Sequence, residues 1–123
     1  MVNKANKQII CTAIGKGRRH DFHLFKQSNI HFKPTTTVLD DTGYLGIKKL
    51  HSNNLQPKKN TKKKPLTKEE KLENKKINAE RVIVEHVIRG VKIFKILTEK
   101  YRNRRKRFGL RLNLIAAMYN QLL

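Results

Sequence analysis

Two stretches near the N-terminus carry the hydrophobic pattern of β-strands. Residues 8–14, with the sequence QIICTAI, are rich in β-branched side chains and end at a Gly-Lys-Gly breaker. Residues 35–41 predict a second strand, which stops at a Thr-Gly pair. Between these two stretches, Asp21 is placed to cap a short helix. Residues 7–46 therefore predict a strand–helix–strand unit of an α/β sheet.

A long helix is predicted over residues 67–98. Thr67 and Glu70 form a T-x-x-E capping box, so the helix should begin near Lys68, and its period continues to about Leu97. At about 100° per residue, one face is a narrow polar stripe, whereas the opposite face and both flanks are apolar. We therefore expect a mostly buried helix. The stripe contains Asn78, Arg81, Glu85, Arg89 and Lys92.

The other segments are basic. Residues 47–66 form a connector that we expect to be mobile without a partner, and its composition suits a solvated linker and a phosphate-tracking arm equally well. Residues 99–123 combine a basic segment with a closing helix over about 112–123. Gly109 is expected to separate that segment from the closing helix.

The net charge indicates the class of partner. The chain has 29 Lys and Arg against 9 Asp and Glu, which gives a formal net charge of +20 over 123 residues, a length that suits one domain. This charge favours nucleic acid, because each neutralised phosphate releases condensed counterions and the gain accumulates along a basic surface. The candidate DNA contacts in the basic runs are Lys62, Lys63, Lys64, Arg102, Arg104, Arg105 and Arg107.

Several other classes of protein are disfavoured. No apolar run approaches the roughly 20 residues that span a bilayer, and the N-terminus lacks the long apolar stretch of a signal peptide. We therefore expect a cytoplasmic, nucleoid-associated protein with no membrane partner. Cys11 is the single cysteine, so no disulfide framework is available, and no P-loop or dinucleotide-binding fingerprint occurs.

Asp41 and Glu85 are the candidate catalytic and metal-binding residues. Asp41 ends a predicted strand and Glu85 lies on a predicted helix, so they offer oxygen ligands from two elements to a hard divalent ion, Mg²⁺ or Mn²⁺. Such ions activate water and stabilise the leaving oxygen in phosphodiester cleavage. The competing interpretation of Glu85 is an ion pair with Arg81 and Arg89, which stand one helical turn before and after it.

Several motifs resemble the DDE endonuclease domain of bacterial insertion-sequence transposases. Arg81, Glu85 and Lys92 stand as R-x3-E-x6-K, which is similar to the signature around the catalytic glutamate of that family. The sequence DTGYLG at residues 41–46 is similar to the D-x-G-Y-x-G stretch around its second catalytic aspartate. The further matching segments are His20-Asp21, residues 101–108 and residues 113–117, and the similarity covers residues 15–120.

The resemblance implies a fold, a cofactor and an activity. The fold is α/β and RNase-H-like, a divalent metal lies at Asp41 and Glu85, and the substrate is transposon DNA, whose ends are cut and joined. In the family, the lysine matching Lys92 is thought to engage transposon-end DNA, and Arg81 belongs to the same signature. Arg81 and Lys92 are therefore candidate DNA-binding residues, with an ion pair to Glu85 as the alternative for Lys92.

Two departures from the family pattern bear on activity. Asn78 stands where the family has tyrosine, and residues 1–7 contain no acid, although the family's first catalytic aspartate lies on an earlier strand. Asp21 belongs to the H-D pattern and Asp40 faces the opposite side of the strand from Asp41, so neither replaces that aspartate. We therefore expect the whole chain to be the C-terminal part of one DDE domain, a partial RNase-H-like fold truncated at its N-terminus and inactive alone.

Two origins and two functions follow from this interpretation. The chain is either a decayed remnant or the downstream half of a frameshifted transposase, whose upstream half is then its partner. The competing function is a small, non-catalytic, basic nucleic-acid-binding protein, which the same charge would suit. Glu85 separates the two functions, because a metal site needs an acid within the basic stripe and a plain binder does not.

Overall fold

The computed structural model describes residues 1–15, 19–99 and 107–123. The chain divides into two compact units, each of which is described here on its own. The strand unit consists of residues 15–81, and the helical unit consists of residues 1–14 together with residues 82–123.

The strand unit contains one helix and a two-stranded parallel sheet, followed by the start of a long helix. Strand β1 pairs with β2 in a register that sets Val38 opposite Asn54 and Leu39 opposite Leu55. A 3₁₀ helix, Ile47–Lys49, lies between the strands along the chain. In chain order the elements are α1 (Asp21–Gln27), β1 (Val38–Leu39), β2 (Asn54–Leu55) and α2 (Lys68–Val91).

The prediction of α1 is confirmed, but the role given to Asp21 is wrong. Asp21 is the first helical residue, and the N-cap position is taken by His20, whose side chain makes no capping hydrogen bond. An acid in the first turn still favours the helix, because its charge lies near the positive end of the helix dipole.

A cluster of half-buried aromatic rings packs within the strand unit. Phe25 stacks on Phe22 and Phe32 at ring-centroid distances of 6.4 and 6.1 Å, and Tyr44 meets Phe22 edge-on at 6.0 Å. His51 lies 5.4 Å from Phe32, and its Nε2 lies 2.6 Å from a backbone carbonyl oxygen, that of residue 36. The cluster therefore packs α1 against the segments that follow β1 and precede β2.

The helical unit is built on aliphatic packing. The C-terminal part of α2 and helix α3 (Phe108–Gln121) contribute its buried residues, and a 3₁₀ helix, Lys95–Leu97, follows α2. Gly90 allows close approach, since a Cβ placed there would lie 2.7 Å from Cε2 of Tyr119. The buried side chains are Val87, Val91, Ile115 and Ala116.

The strand predicted at residues 8–14 is absent, and the strand–helix–strand prediction fails there. Ile9 makes one isolated bridge with Val2, while its backbone N–H and C=O both bond the side-chain amide of Asn120 at 2.8 and 2.9 Å. A side chain on α3 thus supplies the hydrogen bonds that a neighbouring strand would supply. The parallel partner of β1 is β2 instead, which lies in the supposed connector at residues 47–66.

The prediction of α2 is confirmed at its start and wrong at its end and in its burial. Thr67 and Glu70 form the reciprocal capping box, with hydrogen bonds of 3.1 and 3.2 Å. The helix ends at Val91 rather than near Leu97, and Ile88 on its flank is 46% exposed. The apolar flanks face outward because the described part of the chain buries only one narrow side of α2.

Gly109 does not break the C-terminal segment as expected. It lies inside the first turn of α3, where a Cβ would be 3.5 Å from Cδ1 of Ile14. None of the helices in the described ranges is long and apolar enough to cross a membrane.

Candidate metal and DNA site

Asp41 lies immediately after the segment containing β1, and local contacts hold its carboxylate. Its Oδ1 accepts hydrogen bonds from the backbone N–H and the hydroxyl of Thr42, at 2.6 and 3.2 Å. Its Oδ2 lies 3.4 Å from Nη2 of Arg81. The Asp41 side chain is nevertheless 55% exposed, so its oxygens remain accessible to a cation.

Asp40 points the other way, into the strand unit, as strand alternation predicts. It is buried, and its Oδ2 accepts a 2.7 Å hydrogen bond from Nδ2 of Asn54, which is buried as well. Among the described residues, neither Oδ1 of Asp40 nor Oδ1 of Asn54 has a hydrogen-bond partner. Burial raises the pKa of Asp40, while the hydrogen bond from Asn54 and the charge of Arg81 oppose that rise.

Three carboxylates, those of Asp21, Asp40 and Asp41, act on Tyr44, which lies close to Asp41 along the chain. Burial raises the pKa of Tyr44, and the charges of Asp21, Asp40 and Asp41 raise it further. The same carboxylates would favour a cation at the end of β1. Carboxylate oxygens are also the ligands that Mg²⁺ and Mn²⁺ prefer, so the donor chemistry fits a divalent ion.

Glu85 has different surroundings from those expected. It lies on α2 in the helical unit, it is exposed, and it makes no ion pair within the described ranges. The ion-pair alternatives for Glu85 are therefore wrong: Arg81 contacts Asp41 and Asn78, Arg89 is exposed, and Lys92 is exposed just beyond the end of α2. Because Glu85 is exposed, the expectation that it is buried in a basic stripe is also wrong.

The two candidate metal ligands belong to different units. Asp41 is in the strand unit and Glu85 is in the helical unit. Among the described residues, no group of three or more His, Cys, Asp or Glu side chains is placed to hold a metal ion. Each carboxylate therefore supplies a suitable donor, while the described residues do not supply a complete ligand set.

Three of the predicted DNA contacts form one feature, which we call the lysine turn, residues 61–64. The backbone N–H groups of Thr61 and Lys64 each donate to the other residue's carbonyl, at 3.4 and 3.1 Å. Lys62, Lys63 and Lys64 are all exposed. The turn thus presents three ammonium groups to solvent, as a phosphate-binding surface requires.

Lys58 anchors the chain that leads to the lysine turn, and we did not predict this from the sequence. Its Nζ lies 3.2 Å from Glu70 and 3.5 Å from Glu73, and its backbone N–H and C=O bond the side-chain amide of Asn74 at 2.8 and 2.9 Å. The hydrogen bond to Glu70 raises the pKa of Lys58. The acids at one-turn spacing on α2 are the signal that could have indicated this anchor.

The arginine run is only partly described. Arg107 is exposed and precedes α3. The predicted contacts Arg102, Arg104 and Arg105 lie outside the described residues.

Comparison with known proteins defines the class of this chain. A family described as DDE superfamily endonuclease matches residues 1–120, so the chain belongs to that family. It is also 50% identical over 120 residues to a protein from Microchaete diplosiphon whose name is "Probable transposase for insertion sequence element IS702". That alignment covers 98% of this chain and 44% of the relative, so the chain spans less than half of the relative's length. No solved structure matches.

These findings confirm the resemblance seen in the sequence motifs. The chain is a DDE domain of the insertion-sequence transposase type. Endonucleases of this superfamily depend on divalent metal. The superfamily suggests an RNase-H-like fold, and the described residues form a small mixed α/β structure with three α-helices and a two-stranded sheet.

Proposed function

We propose that this chain is the C-terminal part of a metal-dependent DNA endonuclease that cuts and joins the ends of an insertion sequence. The observation that carries the proposal is the exposed, locally held carboxylate of Asp41, which lies within the matched family region. The net charge of +20 and the exposed lysine turn suit a DNA substrate.

Asp41 and Glu85 are the residues that would hold Mg²⁺ or Mn²⁺. When bound, the ion would supply Lewis-acid stabilisation of charge on the phosphate oxygens. The chain's own residues would position the DNA, with Lys92, Arg107 and the lysine turn neutralising phosphates. Arg81 contacts Asp41 at 3.4 Å, so it would contribute to DNA binding only if its guanidinium also reached a phosphate.

We infer that the 123-residue chain does not cleave DNA alone. The residues that precede the matched motifs, 1–7, contain no acid, and the chain corresponds to 44% of its relative. Two divalent ions about 4 Å apart repel each other, and a bridging carboxylate offsets that repulsion. Cleavage should therefore require a third carboxylate, which the upstream half of the transposase would supply.

The test is a nicking assay on supercoiled plasmid carrying insertion-sequence ends. The chain alone should give no Mg²⁺-dependent nicking, whereas a fusion to an upstream segment with an aspartate-bearing strand should nick. Asp41→Asn in the fusion should abolish nicking, and Glu69→Gln, another exposed acid of the strand unit, should not. Nicking by the fusion that survives Asp41→Asn would overturn the proposal.

The second candidate is a non-catalytic basic nucleic-acid binder. It is supported by the side chains of the described residues, which place no group of three or more His, Cys, Asp or Glu side chains to hold a metal ion. The two functions differ in their response to Mn²⁺: the endonuclease proposal requires Mn²⁺ binding that Asp41→Asn removes, and a plain binder shows none.

A further inference from the structure

The backbone around Asp41 is fastened to β2 on both sides. On the N-terminal side, the N–H of Asp40 donates to the carbonyl of Leu55 at 3.2 Å, which continues the parallel ladder of β1 and β2. On the C-terminal side, the carbonyl of Asp41 itself accepts a 2.6 Å hydrogen bond from Nε2 of Gln56. The peptide group that precedes the Cα of Asp40 and the peptide group that follows the Cα of Asp41 are thus bonded to β2 and to the residue that follows it.

Asn54 adds a third fastening from the same segment. Its amide donates to the carboxylate of Asp40 at 2.7 Å, and both side chains are buried. A hydrogen bond to a charged group is strong and directional when it is shielded from water. Asn54 and Gln56 are two residues apart, which is the spacing that places side chains on one side of an extended chain.

We propose that Asn54 and Gln56 are positioning residues for the metal ligand Asp41. They hold the end of β1 so that the Asp41 carboxylate stays in one place and remains open to solvent while its Oδ1 accepts the N–H of Thr42. A divalent ion then binds a preorganised oxygen donor instead of having to order the loop itself. The inference rests on the proposed function, because it assumes that Asp41 binds metal.

Asn53 provides a matched control on the same segment. It has the same side chain as Asn54, and that side chain makes two hydrogen bonds, one to the carbonyl of Pro34 at 3.3 Å and one from the hydroxyl of Thr37 at 3.1 Å. Those contacts hold the opposite end of β1, before Val38, and do not touch Asp40 or Asp41. Truncating Asn53 therefore disturbs the β1–β2 region without releasing the metal ligand.

The first experiment measures Mn²⁺ binding to the whole chain by electron paramagnetic resonance of the free ion. Wild type should show a site that Asp41→Asn removes. Asn54→Ala and Gln56→Ala should each weaken that site by roughly tenfold, the usual effect of losing a residue that orients a ligand, and Asn53→Ala should change it by less than about twofold.

A reciprocal exchange separates positioning from loss of folding. Asn54→Asp alone should weaken Mn²⁺ binding, because it sets two carboxylates against each other in a buried place. Combining it with Asp40→Asn restores one amide and one carboxylate, and binding should return to within about threefold of wild type. Failure of the exchange to restore binding, in a variant with wild-type helical content, would contradict a role through the Asp40–Asn54 bond.

A metal-free signal tests the same inference. The N–H of Thr42 donates to Oδ1 of Asp41 at 2.6 Å, so its proton resonance should lie downfield. In ¹H–¹⁵N spectra, Gln56→Ala should move this resonance upfield, and Asn53→Ala should leave it in place.

The outcomes separate this inference from the proposed function. If wild type shows no Mn²⁺ site that depends on Asp41, the proposed function fails and the inference fails with it. If wild type binds through Asp41 but Asn54→Ala and Gln56→Ala bind as tightly as Asn53→Ala, only the positioning role is overturned. An unmoved Thr42 resonance in Gln56→Ala would also overturn the role of Gln56.

Discussion

Asp41 in the strand unit and Glu85 in the helical unit are held in very different ways. Asp41 receives hydrogen bonds on its carboxylate and on its backbone carbonyl, and Arg81 lies beside it. Glu85 is exposed on α2 and is positioned by the helix backbone alone, without an ion pair in the part of the chain described. A metal ligand needs fixed geometry, so under the proposed function the strand unit holds its candidate ligand in place, whereas the helical unit fixes only the backbone position of its candidate ligand.

The two units also differ in which side chains they bury. The strand unit buries Ile47 together with the polar side chains of Asp40, His51 and Asn54, whose hydrogen bonds are directional. The helical unit buries aliphatic side chains and leaves others outside, with Leu110 71% exposed and Leu122 82% exposed. Substitutions in the strand unit should therefore change geometry, and substitutions in the helical unit should mainly change stability.

The largest expected effect is on catalysis, where we expect Glu85 to matter as much as Asp41 despite their different surroundings. In the fusion that carries the third aspartate, Glu85→Gln should reduce nicking by about three orders of magnitude or more, as Asp41→Asn does, because each removes a charge that the metal ions require. Single-turnover nicking rates measure the loss. Glu69→Gln, an exposed acid in the first turn of α2, is the control and should keep the wild-type rate. Unchanged nicking in Glu85→Gln would confine the site to the strand unit.

The next effect concerns DNA affinity and tests whether the lysine turn of the strand unit contacts phosphates. With about six contacts, log affinity should fall with log salt at a slope of roughly −5, and replacing the three lysines of the lysine turn by glutamine should make the slope shallower by roughly 2.7. Fluorescence anisotropy at several salt concentrations measures the slope.

A charge-matched triple substitution controls for net charge alone. Lys68, Lys71 and Lys75 are exposed lysines of α2, and their replacement by glutamine also removes three charges. A slope that changes equally in both triple variants would mean that the lysine turn is not a specific contact.

The third effect is on stability and belongs to the helical unit. Gly90→Ala places a Cβ 2.7 Å from the Tyr119 ring, so the ring must move, and we expect a loss of about 1–2 kcal/mol in the free energy of unfolding. With Tyr119→Ala present, Gly90→Ala should instead stabilise by about 0.5–1 kcal/mol, because alanine is the better helix former. Urea unfolding of wild type, the two single variants and the double variant completes a double-mutant cycle. If Gly90→Ala changes the free energy of unfolding in the same direction with and without Tyr119, the close approach is contradicted.

The smallest effect is at the start of α2. Thr67→Ala should cost about 1 kcal/mol in the free energy of unfolding through loss of the cap. The backbone N–H of Thr67 lowers the pKa of Glu70 from its usual value of 4.5, so its contribution is present above that value and is lost as the pH falls through the folded-state pKa. Glu70→Gln, which removes the titrating carboxyl, should therefore flatten the acid limb of a stability–pH profile, and an unaltered limb would contradict this contribution of Glu70.

Features with local causes could be predicted from the sequence. The capping box joins Thr67 to Glu70, three positions later, and sets the start of α2 at Lys68. Helix α1 is short, so the residues that favour it also lie close together along the chain. The family was indicated by motifs around Asp41 and Glu85, and the family match over residues 1–120 confirms it.

Features with distant causes could not be predicted. Residues 8–14 have the composition of a strand, but the amide of Asn120, 111 residues away, takes the hydrogen bonds of Ile9. The burial expected for α2 was wrong because helical periodicity shows which side is apolar but not how much of it is covered, and Val87 and Val91 are its only buried residues in the described ranges.

The sequence by itself determined the class of protein, the basic charge, the candidate carboxylates and the start of α2, since these depend on residue identity and short spacing. Only the tertiary structure decided that β1 pairs with β2, that Asn54 and Gln56 hold the end of β1, and that Arg81 contacts Asp41 rather than Glu85. Those contacts join residues 14 to 40 positions apart. Which distant groups meet depends on how the whole unit packs, and no local pattern records that choice.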